Sequence, residues 1–399
     1  MKNSLSLLLL LLLSACVQPT QERDKLDRAT LEARLNALSE KAVRGVAEIP
    51  LDSNKIPRAV NADGTLHSST SRDWTSGFYV GTLWELFQET GDPKLKTAAE
   101  QWTAFQEKEK WDTHTHDLGF KIYCSYGQAW EVEPKKEYAD VIIQASETLI
   151  KRFNSNVGAI RSWDFNKEIW QFPVIIDNMM NLEMLFAATR LSGDSTYYKA
   201  AYQHAQTTLE NHYRSDNSSY HVIDYDTLSG AVRNRHTHQG VAHESAWARG
   251  QAWGLYGFSM VYRETGAPQF LEKAKDIVEF FFQHPNLPED LVPYWDFNAR
   301  EIPDDYRDAS AAAIAAAGLL ELYHLDEENQ AQYLDWADRI LQTLAKDEYQ
   351  AKTAPFLLRK SVGNLPSGSE IDVPIVYADY FYVEALQKRL AIEKNRLKL

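Results

Sequence analysis

Residues 309–318, Ala309-Ser310-Ala311-Ala312-Ala313-Ile314-Ala315-Ala316-Ala317-Gly318, carry small or apolar side chains in nearly every helical direction. A helix without a polar face has to be enclosed by other elements on all sides. Helical periodicity recurs through the rest of the chain, and strand-like alternation is scarce. Helices are expected near 30–47, 73–90, 94–109, 118–130, 136–153, 177–191, 196–213, 243–264, 268–284, 308–323, 328–346 and 375–389. Every second one, beginning with 73–90, shares the all-round apolar character of 308–323. The others are amphipathic with charged faces, as outer helices should be.

The connections alternate in the same way. After an inner-type helix the turn is short and carries stop-then-start signals, as in Thr90-Gly91-Asp92-Pro93, Ser192-Gly193-Asp194 and Thr265-Gly266-Ala267-Pro268. Before an inner-type helix the loop is generally long: roughly 48–72, 154–176, 214–242, 285–307 and 347–374. Six inner helices running parallel in a ring place all the long loops on one face. The expected fold is therefore all-α, a single-domain (α/α)6 barrel with its functional mouth on the long-loop face.

The first residues, MKNSLSLLLLLLLSAC, read as an export signal. One Lys precedes an apolar run of about ten residues, too short to span a membrane as a helix. The run ends in Leu13-Ser14-Ala15-Cys16, a pattern resembling lipoprotein signals cleaved before a lipid-modified cysteine. The expected organisation is a signal over 1–15, lipidation at Cys16, a flexible polar stalk over 16–29 and the barrel over 30–399. Such a chain is a bacterial envelope lipoprotein anchored in the outer membrane, touching the bilayer only through its lipid. An ordinary signal peptide with a chance cysteine is the alternative. Loss of Lys2 takes the formal charge from −14 to −15, which argues against nucleic acid or an anionic membrane as partner. Only Cys124 remains besides Cys16, so no internal disulfide framework is expected.

Two aspartates stand where irregular sequence turns into a helical run on the mouth face, Asp117 in HDLGF and Asp177 in DNMMNLEMLF. An Asp in that place is ordinarily an N-cap. Here Trp, His, Arg and Gln surround both, and two convergent carboxylates in an aromatic cleft suit sugar chemistry. Asp308 and Asp296 are further carboxylates on this face, read as an N-cap and as loop structure. The densest segment is Trp247-Ala248-Arg249-Gly250-Gln251-Ala252-Trp253, in the first turns of an inner helix. A helix N-terminus and a fixed guanidinium there favour an anion, with Trp253 one turn further on. Plain alternatives are a structural salt bridge from Arg249 to an inner carboxylate and core packing for Trp247 and Trp253. His236, His238 and His243 lack the i, i+4 pairing with Glu of a helical zinc site, and neither a metal nor any other cofactor is expected. No Gly-x-Ser-x-Gly or Gly-rich phosphate loop occurs.

Taken together these segments resemble the unsaturated glucuronyl hydrolases of glycoside hydrolase family 88. The resemblance is carried by DWTSGFYVGTLWELFQETGD at 73–92, HDLGF at 116–120, DNMMNLEMLF at 177–186, HQG at 238–240, ESAWARGQAWGLYGF at 244–258, VPYWDF at 292–297, RDASAAAIAAAGLLEL at 307–322 and YADYFYVEAL at 377–386. It implies hydration of the C4=C5 double bond that lyases leave on a non-reducing uronate. Asp177 matches the aspartate that protonates C4 and guides water to C5, and Asp117 the second required carboxylate. Arg249 and Trp253 match uronate contacts. Arg235, Thr237 and Gln239 occupy a substrate-contacting loop, although an Arg at 235 departs from the small residue expected there. His221 and His116 fall at pocket histidines, and Trp74 and Trp163 at wall aromatics, with Trp247 beside them. The implied partner is an unsaturated uronate-containing oligosaccharide, with glycosaminoglycan disaccharides preferred. A pectin-directed rhamnogalacturonyl hydrolase and a non-catalytic glycan-binding lipoprotein are the alternatives. The segment Arg359–Glu370 lacks the Ser/Lys pattern of relatives that hold a 6-sulfate.

Overall fold

The computed structural model describes residues 26–396. The expected signal, Cys16 and most of the stalk lie outside the described residues. Leu26 is buried, its carbonyl accepts from the Arg389 guanidinium, and the first helix opens at Arg28 with Asp27 capping Thr30 N–H.

Twelve helices follow in hairpins. The inner members are α2 (Ser76–Thr90), a π-helical segment Gly119–Gly127 that runs into α4 (Gln128–Val132), α6 (Asn178–Ser192), α8 (Ala248–Thr265), α10 (Ala309–Leu325) and α12 (Val376–Arg396). The outer members are α1 (Arg28–Glu48), α3 (Pro93–Ala104), α5 (Lys136–Ile150), α7 (Ser195–Asn211), α9 (Pro268–Gln283) and α11 (Gln330–Leu344). Each inner element packs on the next, and α12 returns to α2, so the ring is closed. The predicted (α/α)6 barrel is the fold. In α10 every residue from Ala309 to Leu322 is buried, as its missing polar face requires.

The short turns form as their sequences dictate. Gly91, Gly193 and Gly266 close α2, α6 and α8 in the left-handed region, at φ 70°, 76° and 65°. Asp92 and Asp194 then cap the next helix through Lys94 N–H and Thr196 N–H, and Pro93 and Pro268 occupy first-turn positions.

The long loops are less irregular than their sequence suggests. They hold two hairpins, β1 (Ile56–Val60) with β2 (Leu66–Ser69) and β3 (Phe153–Asn154) with β4 (Ala159–Ile160). They also hold an antiparallel sheet of β5 (Pro173–Ile175), β6 (Val222–Tyr225) and β7 (Val232–His236), with Ile175 opposite Val222 and Val222 opposite His236. Strands of two to five residues are too short to show alternation. The eighth helix starts at Ala248 rather than near 243, because Asp296 holds Val241 N–H and the Ser245 hydroxyl in a turn. The fourth is mostly π-helical. It lies against α2 at backbone contact: a Cβ on Gly77 would stand 2.1 Å from the Phe120 carbonyl oxygen.

Candidate active site

A cavity of about 620 Å³ opens on the long-loop face. The β5–β6–β7 sheet forms one side: β5 leads through Ile176 to Asp177 at the start of α6, and His221 immediately precedes β6. The segment before the π-helix supplies His114, Thr115, His116 and Asp117, and the loop before α12 supplies Gly363, Asn364, Ser367, Ser369 and Glu370.

Neither aspartate spends its side chain on capping. Asp177 sits at the N-cap position of α6 without a side-chain cap bond, and its Oδ2 is buried without a hydrogen-bond partner among the described residues. Asp117 instead accepts from the Thr115 hydroxyl at 2.6 Å and lies 3.1 Å from His116 Nε2. The bland reading does hold for Asp308, which caps Ser310 N–H, and for Asp296, which accepts from Val241 and Asn298 N–H and the Ser245 hydroxyl.

The two carboxyls are driven apart electrostatically. Burial lifts Asp177 from 3.8 to about 6; His116 and Arg249 oppose the rise, and the charge of Asp117 adds to it. Burial also pushes Asp117 upward, but His116, Thr115 and Lys121 outweigh it and hold that carboxyl below its ordinary value. Lys121 is itself wholly buried, paired with Glu109 at 3.2 Å and Asp112 at 2.8 Å. Burial pushes the His221 imidazole well below its ordinary value, helped by His238 and Arg249, so it is neutral. Its Nδ1 accepts from the backbone N–H groups of His238 and Gln239, both at 3.1 Å, which assigns the ring hydrogen to Nε2. That N–H stands 3.7 Å from Asp177 Oδ2.

Of the residues expected from sequence, Asp117, Asp177, His116, Trp74, Trp163 and Gln239 line the cavity. Trp74 stacks on Tyr377 at 5.2 Å, and Trp163 on Phe165 at 4.9 Å with an interplanar angle of 12°. His221 faces Asp177, and the remaining expected contacts are placed outside the cavity lining. Arg249 is 1% exposed; its guanidinium pairs with Asp308 at 3.3 Å and donates to the carbonyls of Val362 and Gly363. This is the salt-bridge alternative, reinforced by two carbonyls, while Nε is buried without a hydrogen-bond partner among the described residues. Trp253 is fully buried between Phe120 and Phe381, and Trp247 lies between Arg249 and His221, so both tryptophans are core. Arg235 projects from β7 near the Tyr220 ring and is exposed away from the cavity lining. Thr237 shapes its own turn, its hydroxyl accepting from Gly240 N–H at 2.7 Å. His236 stacks on His243 at 4.3 Å, and His243 Nδ1 accepts from Thr237 N–H.

Several lining residues escaped the sequence reading. His114, Thr115 and Phe165 sit within three residues of named candidates, and that proximity was a usable signal. Arg58 and Glu370, which clasp each other across the rim, are 312 positions apart and gave none.

The glycosyl hydrolase family 88 profile matches residues 53–364. The chain is 50% identical over 345 residues to the unsaturated glucuronyl hydrolase of Formosa agariphila, covering 85% of this chain and 86% of that one. It is 31% identical over 340 residues to the unsaturated chondroitin disaccharide hydrolase of Streptococcus pyogenes, covering 83% and 84%. Among solved structures, an unsaturated glucuronyl hydrolase specific for heparin superposes with a TM-score of 0.88 at 46% identity, over 91% of this chain and 98% of that one. The unsaturated glucuronyl hydrolase of Bacillus sp. GL1 does so with a TM-score of 0.82 at 30% identity, over 89% and 95%. With its barrel and paired carboxylates in place, the chain belongs to glycosyl hydrolase family 88.

Proposed function

We infer that this protein removes a 4,5-unsaturated uronate from the non-reducing end of lyase-generated oligosaccharides by hydrating its double bond. The observation that carries the reading is a pair of carboxyls in one cavity pushed in opposite directions, so that up to about pH 6 Asp177 keeps its proton while Asp117 is ionised. Protonating carbon needs an acid that keeps its proton there, and Asp177 is that acid. Its proton adds to C4, leaving a cation shared between C5 and the ring oxygen. Ionised Asp117 stabilises that charge. Water adds to C5 and gives its proton to the Asp177 carboxylate, restoring the acid. The neutral His221 Nε2–H, facing Asp177 Oδ2, suits the water's oxygen. The hemiketal then opens and the glycosidic bond is released. Acid–base assistance of this kind is worth roughly 10²–10⁴-fold.

Glycosaminoglycan disaccharides are the proposed substrates, supported by the chondroitin and heparin specificities named for two relatives. Lys360 is turned to Glu348 at 3.2 Å and does not line the cavity, so sulfate recognition would fall to other groups. Incubation with unsaturated and saturated disaccharides in D2O tests the reaction. Loss of ultraviolet absorbance with deuterium at C4 is expected for the unsaturated sugar alone. Equal cleavage of the saturated sugar would refute hydration, and no change with either would favour a binding protein.

The chain is further proposed to be tethered to the outer membrane through lipid on Cys16. The signal-like N-terminus supports this, and no described helix is long and apolar enough to cross a membrane.

A further inference from the structure

We propose that Asn181 is a positioning residue that sets the spacing between the Asp117 and Asp177 carboxyls. The proposal rests on the roles given above to these two aspartates. They belong to different elements, and nothing in either element alone fixes the distance between them. Asn181 lies one helical turn after Asp177 on α6, on the same side of the helix, and is wholly buried. Its side-chain Oδ1 accepts the Phe120 N–H at 2.9 Å. Phe120 is three residues beyond Asp117, in the first turn of the π-helical segment, where backbone N–H groups have no partner within their own helix. Asn181 thus caps a neighbouring element rather than its own. The seam is tight: a Cβ on Gly119 would stand 2.6 Å from the Asn181 Cα, so the two backbones touch there.

The other half of the amide argues for a role beyond stability. Asn181 Nδ2 is buried without a hydrogen-bond partner among the described residues. A half-satisfied buried amide is a poor way to hold two helices together, because its buried donor is left without the bond it makes in water. Its acceptor, however, registers the Asp117 segment against the first turn of α6. Catalysis depends on such registration, since a shift of about 1 Å costs on the order of 10²-fold.

The test uses Asn181→Ala, which removes the cap, and Gly119→Ala, which keeps the amide but wedges the same seam, its Cβ 2.6 Å from the Asn181 Cα and 2.7 Å from its Oδ1. Turnover of an unsaturated disaccharide is measured across pH for the folded enzyme. The titrating and charged groups facing Asp177 are Asp117, His116, His221 and Arg249. Loosening the seam admits water to Asp177 and draws it away from Asp117. Both variants are therefore expected to lose about 10- to 100-fold in kcat with KM within about threefold. The alkaline limb of kcat should move down by half a pH unit or more. An unchanged alkaline limb with kcat normal per folded molecule would overturn the proposal. So would failure of both variants to fold, which would assign the seam to stability. Wild-type hydration in D2O separates the outcomes: if it occurs, a negative result here removes Asn181 alone, and if it does not, the underlying reading falls first.

Discussion

Replacing Asp177 by Asn should abolish turnover and at the same time stabilise the folded protein near neutrality. A carboxyl whose folded pKa is raised destabilises the native state wherever it must ionise. Its penalty is absent below the unfolded value of 3.8, builds up as pH rises from there to about 6, and is complete above that. The difference of about two units, at about 1.36 kcal/mol each, gives roughly 3 kcal/mol above pH 7. The side chain is 9% exposed, so solvent screening removes little of this. Unfolding about 370 residues at about 2.1 cal/mol/K each converts it to a gain of about 4 °C in Tm. Asn matches Asp in shape, so packing contributes little. The assay is calorimetry of both proteins at one fixed scan rate, at pH 7.5 and pH 4. A gain at pH 7.5 that shrinks towards zero at pH 4, with kcat down at least 10²-fold, is expected. An equal gain at both pH values, or no gain at pH 7.5, would mean that Asp177 is not held as an acid, and the mechanism would fail.

Arg249→Met should cost about 3–5 kcal/mol, because Asp308 is left buried and unpaired, whereas a residue serving only the uronate would raise KM with Tm unchanged. Thermal unfolding beside Michaelis kinetics separates the two. Trp163→Ala removes a cavity wall and its stack on Phe165, and a loss of about 1 kcal/mol in sugar binding should raise KM about fivefold with kcat nearly unchanged. Cys16→Ala should move the protein from the membrane to the soluble fraction in an envelope fractionation; retention on the membrane would refute the lipid anchor.

The barrel was legible because its inner helices have no polar face and its turns repeat one stop-and-start grammar. Asp117 and Asp177 were legible because each stood at a helix start among aromatic and polar residues. What escaped depends on partners distant in sequence. Arg249 looked free beside a helix N-terminus, yet Asp308 and the carbonyls of Val362 and Gly363 engage both its terminal nitrogens. Trp253 follows Arg249 by one turn, but it points into the ring, where Phe120 and Phe381 close over it. Lys121 shows the limit most plainly. A lysine inside an apolar run gives no hint that Glu109 and Asp112 will meet it in the interior.

The closure of the ring has a consequence for how the mouth comes into being. The seam between α2 and α12 joins segments some 300 residues apart, and Arg389 fastens the start of the described chain at Leu26. Contacts of that separation carry the largest loop-closure entropy, and topologies rich in them assemble slowly. Tyr377, at the start of α12, is part of the cavity wall and stacks on Trp74 at the foot of α2. A chain emerging from its N-terminus can therefore hold both Asp117 and Asp177 and still lack a wall of the cavity. The cavity is completed only with the final hairpin, and a truncation that spares both aspartates would nevertheless leave the cup without a wall.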